Sequence, residues 1–248
     1  MGVSAGPDII QDGLQLLLDA SDKLSYPGSG TSWYNMPSFI NFNSSYYTYP
    51  SFGGGGSSPG YFTFVNNGST QNNIYPGSIS IDTYNQTQYT RIAAFYLTSL
   101  SGAWSPIIQN EIGNNSDMGL TVLSDGKLHF RQYWNTYNGG TTFGDYGVSN
   151  TGATLSTNTW YVAAMAVNRS AQTVSFYLNG ALDSTVSISV IGNAVSNNII
   201  IGGAAVDSYG GDRMFKGRIS MVAHYSRLLN SVEILQNYNA TKSRFGLK

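Results

Sequence analysis

Cysteine is absent from all 248 residues, which excludes disulfides and thiolate metal sites and leaves no need for an oxidising compartment. Charge is scarce as well. Only 10% of residues are Asp, Glu, Lys or Arg, against about 25% in typical domains. The net charge of −1 gives no overall pull toward nucleic acid or an anionic membrane. Glutamate occurs only at Glu111 and Glu233, and histidine only at His129 and His224. No apolar run approaches the roughly 20 residues of a membrane span, so membrane insertion is not expected. Residues 1–12 lack a basic segment and the short run "LQLLLDA" ends at Asp19, so no secretory leader is expected either.

What remains is rich in aromatic residues (13%), glycine (29 residues), Asn, Ser and Thr. Such a surface makes neutral hydrogen bonds in place of ion pairs. Short β-rich segments recur: 13–20, 60–68, 77–84, 88–99, 105–112, 118–134, 160–168, 172–186, 197–203 and 217–226. Asp125-Gly126 and Asn179-Gly180 each split alternating runs and mark tight hairpins. The pattern predicts an all-β, antiparallel two-sheet sandwich of about a dozen strands, a jelly roll at this length. "PSFGGGGSSPG" (50–60) reads as a flexible surface loop, because a 50-residue unit before it would lack a core. We therefore expect one domain over 1–248, with an irregular aromatic and Gly-rich insertion about 34–60.

One segment departs from this pattern. In "LLNSVEILQNYNATKSRFGLK" (228–248), Asn230 with Glu233 three residues on has the form of a capping box. Val232, Leu235 and Tyr238 then suggest an apolar stripe on a helix at 230–241. So short a helix needs a flat apolar surface to dock on. Beyond it, Lys242, Arg244 and Lys248 surround Phe245 and Leu247. Two roles are open for this tail: a plug for a neighbouring protein, or a seal on its own sandwich.

"DGLQLLLDASDKLSYPGSGTSWYN" (12–35) and "FKGRISMVAHYSRLLNSVEILQNYNATKSRFGLK" (215–248) resemble the opening and close of laminin-G-like, concanavalin A-type jelly rolls encoded by tailed, especially marine, phages. "NTWYVAAMAVNRSAQTVSFYLNGAL" (158–182) is similar to a middle segment of the same family. The resemblance implies that the terminal helix caps the sandwich beside the last strand. It also implies carboxylates where this chain has Asn66-Asn67 and Ser220, so a family-type calcium site is not expected, nor any other metal or cofactor.

Glycan hydrolysis would need two carboxylates about 5 to 9 Å apart. Glu233 is accounted for by the helix cap, and Glu111 has no near partner before Asp117, so catalysis is not expected. Two isolated histidines make neither a triad nor a metal cluster, and structural roles are expected for both. Sugar binding requires less: an aromatic face for the pyranose and polar groups for its hydroxyls. The loop 133–147 supplies Trp134, Tyr137, Asn138, Asp145 and Tyr146, and the segment 207–213 supplies Asp207, Tyr209, Asp212 and Arg213. These are the candidate carbohydrate- or partner-binding residues. From Arg213 onward, seven Lys or Arg face only Asp212 and Glu233, which is either a solvated face or a docking surface for an acidic partner.

The resemblance implies a phage virion structural protein, a capsid decoration or short surface appendage on the virion surface. Its partners would be other virion proteins, surface glycans, or further copies of itself as a homo-oligomer. A tail adhesin recognising host glycans and a polysaccharide-cleaving enzyme are the alternatives.

Overall fold

The computed structural model describes residues 8–43, 45, 47–56, 58–65, 72–75, 86–100, 104–112, 115–135, 143–188, 199–203 and 213–248; of 111–112, 115–118, 131–135 and 143–147 it describes the backbone alone. Strands β1 (Leu14–Asp19), β2 (Trp33–Tyr34), β3 (Asn41–Phe42), β4 (Ser51–Gly55), β5 (Ser58–Phe64) and β6 (Gln88–Leu97) come first. Then follow β7 (Trp104–Ile112), β8 (Asn115–Leu123), β9 (Leu128–Asn135), β10 (Phe143–Ser149) and β11 (Trp160–Asn168). The chain ends with β12 (Thr173–Leu178), β13 (Ala181–Ser187), β14 (Ile199–Ile201), β15 (Gly217–Tyr225) and helix α1 (Ser231–Thr241).

These strands form the expected antiparallel sandwich. The larger sheet runs β13-β12-β11-β6-β15-β5-β4, with β1 also paired to β15. The smaller sheet runs β10-β9-β8-β7-β14. Alternation assigns the faces. On β6, Tyr89, Ala93, Phe95 and Leu97 point inward to meet Ile107, Ile108, Leu120 and Phe130 of the smaller sheet. Both expected hairpins are present, and Asn179 and Gly180 both have positive φ (48° and 80°), as a type I′ turn requires.

Two segments read from sequence as loops are strands. Residues 51–55 lie inside the segment read as a flexible loop and irregular insertion, yet they form β4, with Phe52 opposite Phe62 and Gly53 opposite Tyr61. Glycine hides such a strand because it contributes no side-chain alternation. Here the Tyr61 ring covers the bare backbone, and a Cβ on Gly53 would come within 2.7 Å of that ring. Both ends of the segment read as a loop at 133–147 are likewise strand, since 133–135 close β9 and 143–147 open β10.

β15 is the central organiser. One edge pairs with β6 throughout, and the other is shared by β5 at 217–219 and β1 at 221–225. Ser220 sits at that junction, wholly buried. Its carbonyl accepts from Ala20 N–H (2.8 Å) and its hydroxyl donates to the Gly60 carbonyl (2.6 Å), tying both strands at one point.

Helix α1 docks on the outer face of the larger sheet, where Ala94, Ala164 and Ala223 leave room for it. The expected capping box is present: Asn230 Oδ1 accepts from Val232 and Glu233 N–H, and Glu233 accepts from Asn230 N–H. Of the expected stripe only Tyr238 is buried. Val232 is 72% exposed and Leu235 45%, while Ile234, Asn237, Tyr238 and Thr241 are buried. This face contains two polar residues, so an apolar count passes over it. Both are satisfied inside: Asn237 accepts from Ile10 N–H (2.8 Å) and donates to the Tyr225 hydroxyl (3.1 Å), and Thr241 donates to the Asn237 carbonyl (2.9 Å). Burial pushes the Tyr225 hydroxyl up to about 12, so it stays a donor, here to the Ile10 carbonyl (3.0 Å). Among the described residues no helix is long and apolar enough to cross a membrane.

Candidate functional site

Where the helix ends, the outer face of the larger sheet changes character. Register places Trp160 of β11 opposite Tyr96 of β6, Tyr96 opposite Arg218 of β15, and Arg218 opposite Thr63 of β5. Each is an outward position, flanked by the inward residues Tyr161, Phe95, Ile219 and Phe62 or Phe64. Tyr61, two positions from Thr63 on the same face, completes the group. The result is one band across four adjacent strands, with Tyr61, Tyr96, Trp160 and Arg218 all half-buried.

The side chains pack together, Trp160 edge-on to Tyr96 and tilted against Tyr61. The Trp160 ring lies 5.6 Å from Tyr96 and 6.1 Å from Tyr61, centroid to centroid. The Arg218 guanidinium lies 4.7 Å from the centre of Tyr61 and 4.9 Å from that of Tyr96, held between two electron-rich rings. Close approach of β15 and β6 makes this possible. Gly217, next to Arg218, has φ 156°, and any Cβ there would lie 2.0 Å from the Tyr96 carbonyl oxygen. Phe245, in the 3₁₀ turn after α1, bounds the band by stacking on Trp160 at 4.8 Å.

A cleft of about 350 Å³ lies against β4 and β5, lined by none of the four band residues. Gly60 and Arg244 line it, and their chain neighbours Tyr61 and Phe245 belong to the band or its border. Tyr26, Phe52, Lys23 and Ser58 complete much of the wall. The Tyr26 and Phe52 rings are 4.5 Å apart, and Arg244 is held in place by the nearly buried Asp19 carboxylate. A second hollow, of about 670 Å³, lies between β1, the helix end and Met36-Pro37, with Asp8, Asp19, Asp22 and Arg244 on its rim.

Of the residues singled out from sequence, Trp134 falls in β9 and Asp145 and Tyr146 in β10, on the edge pair of the smaller sheet; Gly144 stands opposite Trp134 and Gln132 opposite Tyr146. Tyr137, Asn138, Asp207, Tyr209 and Asp212 lie outside the described residues, as do Asn66-Asn67 and the strand expected at 77–84. Arg213 is half-buried, just before the buried Met214 and Phe215. Sequence reasoning missed the band altogether. Its signal was present as aromatic residues at outward positions of four strands, but only strand order and register bring them together.

Of the two glutamates, Glu233 has its carboxylate engaged structurally. Glu233 is clasped by both nitrogens of Arg227 (2.7 and 3.0 Å), which with capping holds its carboxyl below the usual range. The backbone of Glu111 lies in β7 opposite Ser116. Among the described residues no group of three or more His, Asp or Glu could hold a metal ion.

Both histidines are buried. His129 Nδ1 meets the Ser149 hydroxyl at 2.9 Å, and its ring lies edge-on to Trp104. His224 faces the sandwich interior, where Arg91 Nε approaches its Nδ1 (3.4 Å) and its Nε2 meets Gln86 Oε1 (2.8 Å). Arginine can only donate, so Nδ1 accepts and Nε2 carries the hydrogen. Burial first, and the Arg91 charge second, hold the imidazole well below its usual pKa.

A family profile described as the concanavalin A-like lectin/glucanases superfamily matches residues 66–235. No curated protein matches the chain in sequence. Among solved structures, the binding domain of Paraclostridial Mosquitocidal Protein 1 superposes with TM-score 0.65 at 15% identity, over 95% of this chain and 55% of that one. Trypanosoma rangeli sialidase in complex with the inhibitor DANA gives 0.62 at 13%, over 97% and 36%. The binding domain of Botulinum Neurotoxin DC, in complex with SialylT, gives 0.60 at 15%, over 92% and 51%. The chain thus spans between about a third and about half of these structures. At such identities the likeness is one of fold.

Proposed function

Because the chain belongs to the concanavalin A-like lectin/glucanases superfamily, we propose that it binds carbohydrate, and does so across the band of Tyr61, Tyr96, Trp160 and Arg218. The observation that carries this reading is the band itself: three half-buried aromatic side chains gathered on one accessible sheet face around a guanidinium. Aromatic faces take the apolar side of a pyranose, and the N–H edge of arginine takes its oxygens. Solved neighbours with carbohydrate ligands, the sialidase and the toxin binding domain, support a binding role of this kind. The engagement of Glu233 in the helix cap supports a binder over a catalyst.

The setting we propose is the surface of a tailed-phage particle, as a decoration or short appendage. It rests on the resemblance of residues 12–35 and 215–248 to proteins of that kind. Mass spectrometry of purified particles tests it, and absence of the protein from them would refute it.

The binding proposal is tested on a glycan array followed by calorimetry. Trp160→Ala and Tyr96→Ala should each weaken the best ligand about tenfold, the scale of one lost aromatic contact, with melting temperature as the control for folding. Failure of the wild type to bind any glycan would overturn the proposal. Release of reducing sugar, abolished by Glu111→Gln, would overturn the reading as a binder alone.

A further inference from the structure

The arginines of this protein divide by their partners. Arg227 is held by Asp12 and Glu233, Arg244 by Asp19, and Arg91 donates to Asn110 and His224. Arg218 differs. Its guanidinium has the faces of Tyr61 and Tyr96 beside it and, among the described residues, neither a hydrogen bond nor an ion pair. Of the C-terminal basic residues, Arg227 and Arg244 are thus neutralised by carboxylates, whereas Arg218 sits among aromatic rings in the middle of the band.

We infer that the band selects acidic glycans, with Arg218 as the specificity-determining residue for a carboxylate or sulfate on the sugar. The inference rests on the carbohydrate-binding reading above and names the class of ligand. A guanidinium stacked on two rings presents its donors only at its edge, in the plane of a fork that matches two oxygens of an anion. The rings also hold the side chain in place, so little rotamer freedom remains to be lost on binding. Half-burial strengthens the pull, because a cation partly removed from water gains more from an anionic partner. The Trp160 ring, 5.6 Å from Tyr96 and 6.1 Å from Tyr61, stands beside the charged group, so a sugar stacked on the indole could place its anionic substituent at the guanidinium edge. The competing view treats Arg218 as a spacer whose stem covers the tyrosines while its head stays in water. That view requires no preference for charge in the ligand.

The test is calorimetry on the whole chain with three probes of equal length: a galacturonate trisaccharide, a sulfated galactose trisaccharide and the neutral galactose trisaccharide. We expect at least one acidic probe to bind about tenfold more tightly than the neutral one, the scale of one charge-assisted hydrogen bond. The gap should narrow as salt is raised. Comparison of the two acidic probes identifies whether carboxylate or sulfate is preferred. Arg218→Gln should bring the acidic affinities down to that of the neutral probe, and Arg218→Lys should restore part of the difference, since it keeps the charge without the fork. If Arg218→Gln lowers the melting temperature, the lysine variant and the salt dependence decide. Equal binding of all three probes by the wild type, or a preference that survives Arg218→Gln, overturns the inference and leaves the carbohydrate reading standing. Binding of none of them overturns the inference, and the glycan array then judges the wider reading.

Discussion

The ring of Phe245 rests on the indole of Trp160, with centroids 4.8 Å apart and planes inclined by 35°. Phe245 is only 8% exposed, and the Tyr238 hydroxyl donates to the Lys248 carbonyl at 2.7 Å. The tail thus folds back on its own sandwich. Truncation after Thr241 should lower the melting temperature by several degrees. Burying a phenylalanine side chain contributes about 1.5–3 kcal/mol, and each kcal/mol moves a protein of this size by about 2–4 °C. An unchanged melting temperature, with lost attachment to a partner, would instead favour the plug.

The two faces of α1 should respond oppositely to substitution. Ile234→Ala removes a nearly buried side chain from the sheet contact and should cost about 2–4 kcal/mol. Val232→Ser, at a position 72% exposed, should stay within about 0.5 kcal/mol. Asn230→Ala should cost about 1 kcal/mol through the lost cap. Urea titrations of the three variants measure this, and a larger loss at Val232 than at Ile234 would contradict the docking seen here.

His224 gives stability a pH dependence of known sign. Its folded pKa is lowered, so the unfolded chain binds the proton first as pH falls below the ordinary histidine value of 6.5. The stabilisation is complete above that value and is lost progressively toward the folded pKa. Melting temperature should therefore drop as pH is lowered from 7 toward 5, and His224→Gln should flatten that slope. Glu233 acts at lower pH: the Arg227 clasp depresses its pKa, and its contribution disappears as pH falls from the ordinary glutamate value of 4.5 through the folded pKa. A slope between pH 7 and 5 that is unaltered in His224→Gln would assign it elsewhere.

Chelator should leave the melting temperature almost unchanged. Ser220 stands where the family resemblance implies a carboxylate, and its hydroxyl is engaged by the Gly60 carbonyl. A cation held at a hundred times its dissociation constant would add about 2.7 kcal/mol, which EDTA would reveal as a clear shift. Such a shift would place a cation site elsewhere in the protein.

Much of the fold was legible because it is written in local periods. Alternation marks β5, apolar β-rich runs mark β6, β11 and β15, the Asn-Gly and Asp-Gly pairs mark hairpins, and Asn230 with Glu233 marks the helix start. β4 was illegible because Gly53, Gly54 and Gly55 carry no pattern; the Tyr61 ring that covers Gly53 and Gly54 belongs to another strand. The helix face was misread because Asn237 and Thr241 look solvent-facing until Ile10 and Tyr225 are placed beside them.

The sequence by itself determined most of the longer strands, both hairpins, the helix cap and the concanavalin A-like family, because each depends on residues close along the chain. Only the tertiary structure decided the candidate site. Tyr61, Tyr96, Trp160 and Arg218 are separated by dozens of residues and share no motif. They meet because β5, β15, β6 and β11 lie side by side in a register set by the buried face, and a shift of one residue in any strand would turn its contribution inward.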